Sequence, residues 1–150
     1  MKLTILLVLV TVLGFSCKKD DNEVEKEKER ISVPCGEEVR ANAENFSSVE
    51  SDNFIITDAS VSGDCLTLTL GLGSACSDPE IDVFHSISEA AVFPPQHLLK
   101  VAIKYGTGCA MPGIKTFKFD LYPIRQKNTN RISLSISGSE GYYKTLEYIY

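Results

Sequence analysis

The chain has 150 residues, a formal net charge of −5 at pH 7, 43% hydrophobic residues and no tryptophan. Its lysines and arginines form no basic stripe, and an acidic chain of this kind cannot obtain the phosphate-neutralising affinity on which nucleic-acid binding depends. We therefore exclude nucleic acid as a partner, and the length admits one domain with a core of its own.

Residues 1–16 have the pattern of a signal peptide. Lys2 supplies a positive charge, and an apolar run from Leu3 to Phe15 follows it. A transmembrane helix needs about 20 apolar residues, so this run is too short to span a bilayer. It is typical of the apolar core of an export signal. Its removal would take away Lys2 and change the formal charge from −5 to −6.

Cys17 directly follows Gly14, Phe15 and Ser16. This arrangement resembles the lipobox of bacterial lipoproteins, in which the cysteine is diacylated on its sulfur, becomes the first residue after cleavage, and is acylated on the new amine. The resemblance implies that the mature chain is held on a lipid bilayer through acylated Cys17. One buried acyl chain binds a membrane only marginally, whereas two or three anchor it firmly.

Residues 17–33 are predicted to form a charged, disordered tether. Eleven of the thirteen residues from 18 to 30 are charged, and such a segment cannot bury enough apolar surface to offset the entropy of ordering it. The beginning of the tether resembles the basic-then-acidic export signal of surface lipoproteins of Bacteroidota and consists of Lys18, Lys19, Asp20 and Asp21. We therefore expect a lipid-anchored protein of the outer membrane, exposed at the cell surface or otherwise on the periplasmic face.

Residues 34–150 are predicted to form a seven-stranded antiparallel β-sandwich of immunoglobulin-like type. The sequence of residues 54–70 contains two β-rich runs around Gly63 and Asp64, which suit a two-residue hairpin turn. Alternating apolar runs follow at residues 81–87, 99–105, 116–121, 132–136 and 146–150. Alternation of this kind places one face of each strand in a core and the other in water. This alternation predicts that Ile87 lies on the core-facing side of its strand and Asp120 on the solvent-exposed side.

Four cysteines remain after Cys17, an even number that suits disulfide bonding in an exported chain. Three pairings are possible, and the sequence does not choose among them. We favour Cys76 with Cys109, because both follow strands in Gly-rich turns, and hence Cys35 with Cys65. The second bridge should lie on the outer face of the sheet, because Cys65 is an even number of residues from Thr67 and Thr69 and therefore points to the same side of the strand as they do. No C-x-x-C pair exists, which argues against zinc.

Catalytic patterns are missing from the sequence. The chain lacks G-x-S-x-G, H-E-x-x-H and a phosphate-binding loop. His85 is expected to be a half-buried packing residue, and His97 to begin a strand at the surface. Asp78, Glu80 and Asp82 alternate and would share one face, where they form a weak calcium candidate, although a solvated acidic edge is the simpler interpretation. We predict no catalytic residue, no other metal site and no cofactor.

The segment Phe93 to Gln96, with the sequence FPPQ, allows two interpretations. It suits a peptide-binding or polyproline turn, and it equally suits a rigid crossover between two strands. We favour the crossover.

Several motifs between residues 54 and 150 resemble one family. These are ITDASVSGDCLTLTLGLGSAC, FPPQHLLKVAI, GTGC and TFKFDLYPIR, and they look like small Bacteroidota lipoproteins related to the C-terminal domain of NigD-like proteins. The resemblance implies a β-sandwich with Cys76 near Cys109. It implies no activity, because the family offers no established catalytic residues.

Two classes of function follow. The first is a non-enzymatic binding or accessory module with an unknown protein or glycan partner, which would dock at the Gly-rich sheet ends or at Tyr142, Tyr143, Tyr148 and Tyr150. The alternative is a carboxylate- or calcium-dependent enzyme or inhibitor that acts on extracellular polymers, with a cluster of Asp78, Glu80, Asp82 and His85. We favour the first class.

Overall fold

A computed structural model of the protein describes residues 34–41, 46–74, 78–106, 111–139 and 143–150. The regular structure of these residues consists of eight strands and two short 3-10 helices. These residues belong to one compact unit. The predicted signal peptide, Cys17 and the tether lie outside the described residues. The strands are β1 (Glu37–Glu38), β2 (Phe54–Ser62), β3 (Cys65–Leu72), β4 (Glu80–Ile87), β5 (Gln96–Lys104), β6 (Gly113–Asp120), β7 (Arg131–Ser137) and β8 (Tyr143–Ile149), and the 3-10 helices are Phe46–Ser48 and Tyr122–Ile124.

The strands form two four-stranded sheets. Sheet A has the order β1-β6-β3-β2, and sheet B has the order β4-β5-β7-β8. The predicted all-β class is confirmed, but the seven-stranded, wholly antiparallel arrangement is wrong: β1 is an additional strand, and the pairs β1–β6 and β5–β7 are parallel. The chain leaves β5 for β6 in the other sheet and returns to begin β7 beside the start of β5, so these two neighbours run in the same direction.

Both sheets contribute their inner faces to one hydrophobic core. The pattern is clearest in β3, where alternate leucines are at most 3% exposed and the intervening residues are only partly buried. Each such leucine contributes roughly 1.5 to 3 kcal/mol by leaving water. The core residues of the central strands are Leu66, Leu68, Leu70, Leu72, Leu99, Val101, Ile103, Phe119, Ile132, Leu134 and Ile136.

The predicted β2–β3 hairpin is confirmed. Ser62 pairs with Cys65, so the connection is the two-residue turn of Gly63 and Asp64. Gly63 has a φ of 55°, a left-handed conformation that glycine adopts without steric cost.

The N-terminal segment of the domain connects both sheets. Cys35 forms the predicted disulfide with Cys65, at a Cα–Cα distance of 5.7 Å, and both sulfurs lie on the outer side of sheet A. The chain then pairs with β6, and the Val39 N–H donates to the Asp120 carbonyl at 3.1 Å. One residue further, the Arg40 N–H donates to the Val83 carbonyl of sheet B at 2.9 Å. The second predicted bridge, Cys76–Cys109, lies outside the described residues.

Two predictions based on strand parity fail at strand ends. Asp120 was expected in water but is fully buried, because the 3-10 helix that follows β6 turns over it and the Tyr122 N–H donates to its Oδ1 at 3.0 Å. Ile87 was expected in the core but is 50% exposed, since it is the last residue of β4 and lies beyond the facing sheet.

Gly36 provides a test of how closely the N-terminal segment must approach β6. A Cβ atom at this position would lie 2.0 Å from the Lys118 carbonyl oxygen, whereas one at Gly73 would meet nothing within 4 Å. We expect Gly36→Ala to lower the free energy of unfolding by about 1 to 3 kcal/mol, the usual cost of an overpacked contact. The control Gly73→Ala should stay within about 0.5 kcal/mol. Urea unfolding of both variants measures the difference, and equal stabilities would contradict the close approach.

Candidate functional site

A polar cluster ties the two sheets together at the end that carries the β2–β3 turn. Asp64 lies in this turn, Arg125 follows the second 3-10 helix, and Tyr148 is the penultimate described residue of β8. Arg125 Nη2 lies 2.5 Å and Nε 3.0 Å from Asp64 Oδ1. The Tyr148 hydroxyl donates to the same oxygen, and Arg125 Nε also lies 3.0 Å from that hydroxyl. Burial, with the Asp64 hydrogen bond, raises the pKa of Tyr148, so the phenol stays a neutral donor.

Two further tyrosines enclose the Arg125 guanidinium. Its carbon lies 5.0 Å from the ring centroid of Tyr122 and 4.9 Å from that of Tyr150. The Tyr150 hydroxyl accepts a hydrogen bond from the Gln126 N–H at 2.8 Å. Tyr148 is fully buried and Tyr150 half-buried, so both act in packing, whereas Tyr143 is 62% exposed. Tyr142, another predicted contact, lies outside the described residues.

His85 and His97 form a hydrogen-bonded pair inside the domain. His85 Nε2 lies 2.7 Å from His97 Nδ1, and the ring centroids are 4.7 Å apart. The Gln126 side-chain nitrogen lies 2.8 Å from His97 Nε2, which connects the pair to the segment that carries Arg125. His85 Nδ1 is buried and has no hydrogen-bond partner among the described residues.

The surroundings of the pair keep both rings neutral. Burial, together with the neighbouring His97, lowers the pKa of His85 to about 4. Burial also lowers the pKa of His97. The packing role predicted for His85 agrees with its position, although the residue is fully rather than half-buried.

The predicted surface position of His97 is wrong, because it is only 1% exposed. The residue is the second of β5, but this strand is paired on both sides and the Gln126 side-chain nitrogen lies 2.8 Å from the ring. The signal that could have placed it correctly is parity, since His97 shares a face with Leu99 and Val101.

The acidic candidates Asp78, Glu80 and Asp82 do not converge. Asp78 precedes β4 and pairs with Lys115 at 2.7 Å, and this hydrogen bond lowers the pKa of Asp78. Asp82 pairs with Arg40 at 2.7 Å, and Glu80 is exposed at the first residue of β4. His85 faces the core, on the opposite side of the strand from Glu80 and Asp82. Within the described ranges, no three His, Cys, Asp or Glu side chains come together as metal ligands.

An apolar groove crosses the outer side of sheet A at its other end. Ile55, Gly71 and Ile114 are direct neighbours across three strands, and the two isoleucines are 53% and 72% exposed. Because Gly71 has no side chain, the space between the two isoleucines stays open down to the backbone, and the groove has a volume of about 540 Å³. The groove is lined by Asn53, Phe54, Ile55, Gly71, Leu72, Gly73, Pro112, Gly113 and Ile114. Gly71 and Gly73 belong to one of the Gly-rich sheet ends at which docking was predicted; that role stays a prediction, and no sequence pattern singled out the two isoleucines.

Comparisons with known proteins show no family. No protein-family profile matches the chain, and no curated protein matches it. Among solved structures, the chain is similar to a Bacteroides vulgatus protein of unknown function, DUF1344, at 17% identity and a TM-score of 0.48. The match covers 76% of this chain and 57% of that chain. So distant a likeness carries no functional argument, and the NigD-like relationship stays a prediction. Among the described residues, no helix is long and apolar enough to cross a membrane.

The buried histidine pair predicts an acid-sensitive stability. In the unfolded chain His85 binds a proton as the pH falls through about 6.5, whereas in the folded chain it does so only near 4. The contribution of neutral His85 to the free energy of unfolding is therefore complete above pH 6.5 and is lost as the pH falls to 4. The change is roughly 3 kcal/mol, at 1.36 kcal/mol per pKa unit. Urea unfolding from pH 7.5 to 4 should show a shallower loss for His85→Gln than for the native chain. Parallel curves for the two proteins would refute this linkage.

The separated carboxylates predict no calcium response. Because Asp78 and Asp82 already have cationic partners, millimolar calcium should leave the melting temperature unchanged. Asp82→Asn should cost no more than about 1 kcal/mol, as expected for a partly exposed ion pair. Thermal melts with calcium or chelator test this. A calcium-dependent rise that disappears in Asp82→Asn would restore the metal site.

Proposed function

We propose that this protein is a lipid-anchored, non-enzymatic binding module of the outer membrane, and that the groove around Gly71 is its binding surface. The groove is the observation that carries the proposal. A contiguous exposed apolar patch can serve as an interaction site, and here two exposed isoleucines flank a glycine floor. Lipid anchoring rests on the resemblance of Cys17 and the three residues before it to a lipobox.

The chemistry of the groove favours a protein partner. Asn53 is the only residue with a polar side chain among those that line it, and the lining is otherwise aliphatic apart from buried Phe54. Sugars are held by aromatic platforms and by many hydrogen bonds, neither of which this lining offers. The low glycine floor between Ile55 and Ile114 suits an inserted aliphatic side chain of a partner, since the partner can approach the backbone closely.

The polar clusters support a structural rather than a catalytic role. Asp64, Arg125 and Tyr148 satisfy one another, and the His85–His97 pair is buried beneath Gln126. A general base needs hydrogen-bond access to a substrate proton, which a ring covered in this way does not have. These groups hold the fold together and leave the apolar groove as the surface that can bind.

The position of the groove suits an anchored module. The Cys35–Cys65 bridge holds the N-terminal segment at the β2–β3 turn, whereas Gly71 and Ile114 lie at the opposite ends of β3 and β6. A chain attached through Cys17 would therefore join the domain at the end away from the groove.

Photo-crosslinking in whole cells tests the groove. Benzoylphenylalanine placed at Ile114 should give one discrete crosslinked product, and the same group at exposed Thr145 of sheet B should give none. Gly71→Ala should lower the yield at Ile114, because its Cβ would fill part of the floor while meeting Ile55 at an ordinary 3.8 Å. Equal products at both positions, or a yield unaffected by Gly71→Ala, would contradict the groove as the binding surface.

The anchor is tested separately by intact-protein mass spectrometry of the membrane fraction. We expect a chain that begins at Cys17 and carries a lipid mass, and treatment of whole cells with protease should remove the domain. An unlipidated chain that begins elsewhere would overturn the anchoring.

A further inference from the structure

The end of the domain that receives the N-terminal segment also displays apolar side chains. Cys65 is the first residue of β3, immediately after the Gly63-Asp64 turn, and its disulfide holds Cys35 there. Whatever precedes Pro34, including Cys17, therefore joins the domain at this end. Cys17 and Pro34 are 17 positions apart in the chain, so the segment between them reaches at most roughly 55 to 60 Å.

The loop between β4 and β5, residues 88–95, lies at the same end. Asp64 of the turn contacts Tyr148, and Tyr148 pairs with Ile132 of sheet B. The next residue, Ser133, donates its N–H to the carbonyl of Pro95 at 2.9 Å. This loop joins antiparallel neighbours, so it is a hairpin connection, and the predicted crossover is wrong.

The loop exposes its largest apolar side chains. Phe93 is 74% exposed and Val92 51%, and Ile87 at the end of β4 is 50% exposed. Ile149, which is 60% exposed, pairs with Arg131, and the Arg131 guanidinium lies 5.0 Å from the Phe93 ring centroid. We call Val92, Phe93 and Ile149 the tip patch.

Resting on the lipid anchor proposed above, we propose that the tip patch inserts into the interface of the bilayer that holds Cys17. The attachment at Cys35 keeps this end within reach of the membrane and raises the effective concentration of lipid around it. Aromatic and aliphatic side chains partition into the membrane interface, and an adjacent arginine can keep its guanidinium among the headgroup phosphates. Within the loop, Glu89 is the only charged residue that would oppose entry.

The absence of tryptophan from the chain allows a direct test. Phe93→Trp places a single fluorophore in the tip patch, and Ile114→Trp places one at an equally exposed site at the other end of the domain. Lipidated protein is reconstituted into vesicles of phosphatidylethanolamine and phosphatidylglycerol with brominated acyl chains. We expect a blue shift and strong bromine quenching for Phe93→Trp and neither change for Ile114→Trp.

The outcomes separate insertion from anchoring. Vesicle flotation with no quenching of Phe93→Trp would overturn insertion while the anchor stands. A blue shift that depends on protein concentration and not on brominated lipid would mean that a second copy covers the patch, which also overturns insertion.

Loss of flotation would refute the anchor, and the mature chain with Cys17→Ser then tests the patch by itself. At high lipid concentration this chain should still bind vesicles, and Val92→Ser with Phe93→Ser should weaken that binding several-fold. No binding by the Cys17→Ser chain in that case would overturn the patch.

Discussion

The carboxylate of Asp64 holds together the end of the domain on which most of its other features depend. A buried charge is costly unless it is paired and hydrogen-bonded, and here one oxygen of Asp64 receives both Arg125 and Tyr148. Asp64 belongs to sheet A and Tyr148 to sheet B, so satisfying this charge joins the sheets. Arg125 supplies the opposite charge, and Tyr148 supplies a neutral hydrogen-bond donor from the other sheet.

This constraint also positions the neighbouring features. Arg125 is held between Tyr122 and Tyr150, which sets the path of the backbone at Gln126. Gln126 in turn reaches His97 and closes over the histidine pair. The same end receives the N-terminal segment through its disulfide and projects the tip patch. The opposite end is also joined across the sheets, since the Tyr105 hydroxyl, just after β5, donates to the Asn53 carbonyl at 2.8 Å and accepts from the Gly73 N–H at 3.0 Å. There the outer side of sheet A presents the apolar groove. The domain thus presents the tip patch at one end and the apolar groove at the other, an arrangement consistent with the proposed anchored module.

Parity along each strand predicted most of the core and failed where strands end. Leu99, Val101 and Leu134 were placed correctly because they lie in the middle of strands that are paired on both sides. Asp120 and Ile87 were misplaced because the burial of a terminal residue depends on what lies beyond its own strand. β1 was not recognised at all, since two adjacent glutamates show no alternation, and their pairing with β6 depends on the Cys35–Cys65 bridge and on the close approach at Gly36.

The amino-acid sequence by itself determined the all-β class, the two-residue hairpin at Gly63 and the inward faces of the central strands. Each of these follows from local chemistry: side-chain alternation, and a glycine where the backbone needs a left-handed conformation. The sequence left three cysteine pairings possible, and the structure selected Cys35 with Cys65. Only the tertiary structure decided that β5 and β7 run parallel, that His85 and His97 meet, that Asp64 is shared by Arg125 and Tyr148, and that Ile55, Gly71 and Ile114 form one groove. These features join residues that are up to 84 positions apart in the chain, and such contacts depend on how the two sheets are ordered and packed, which no local pattern contains.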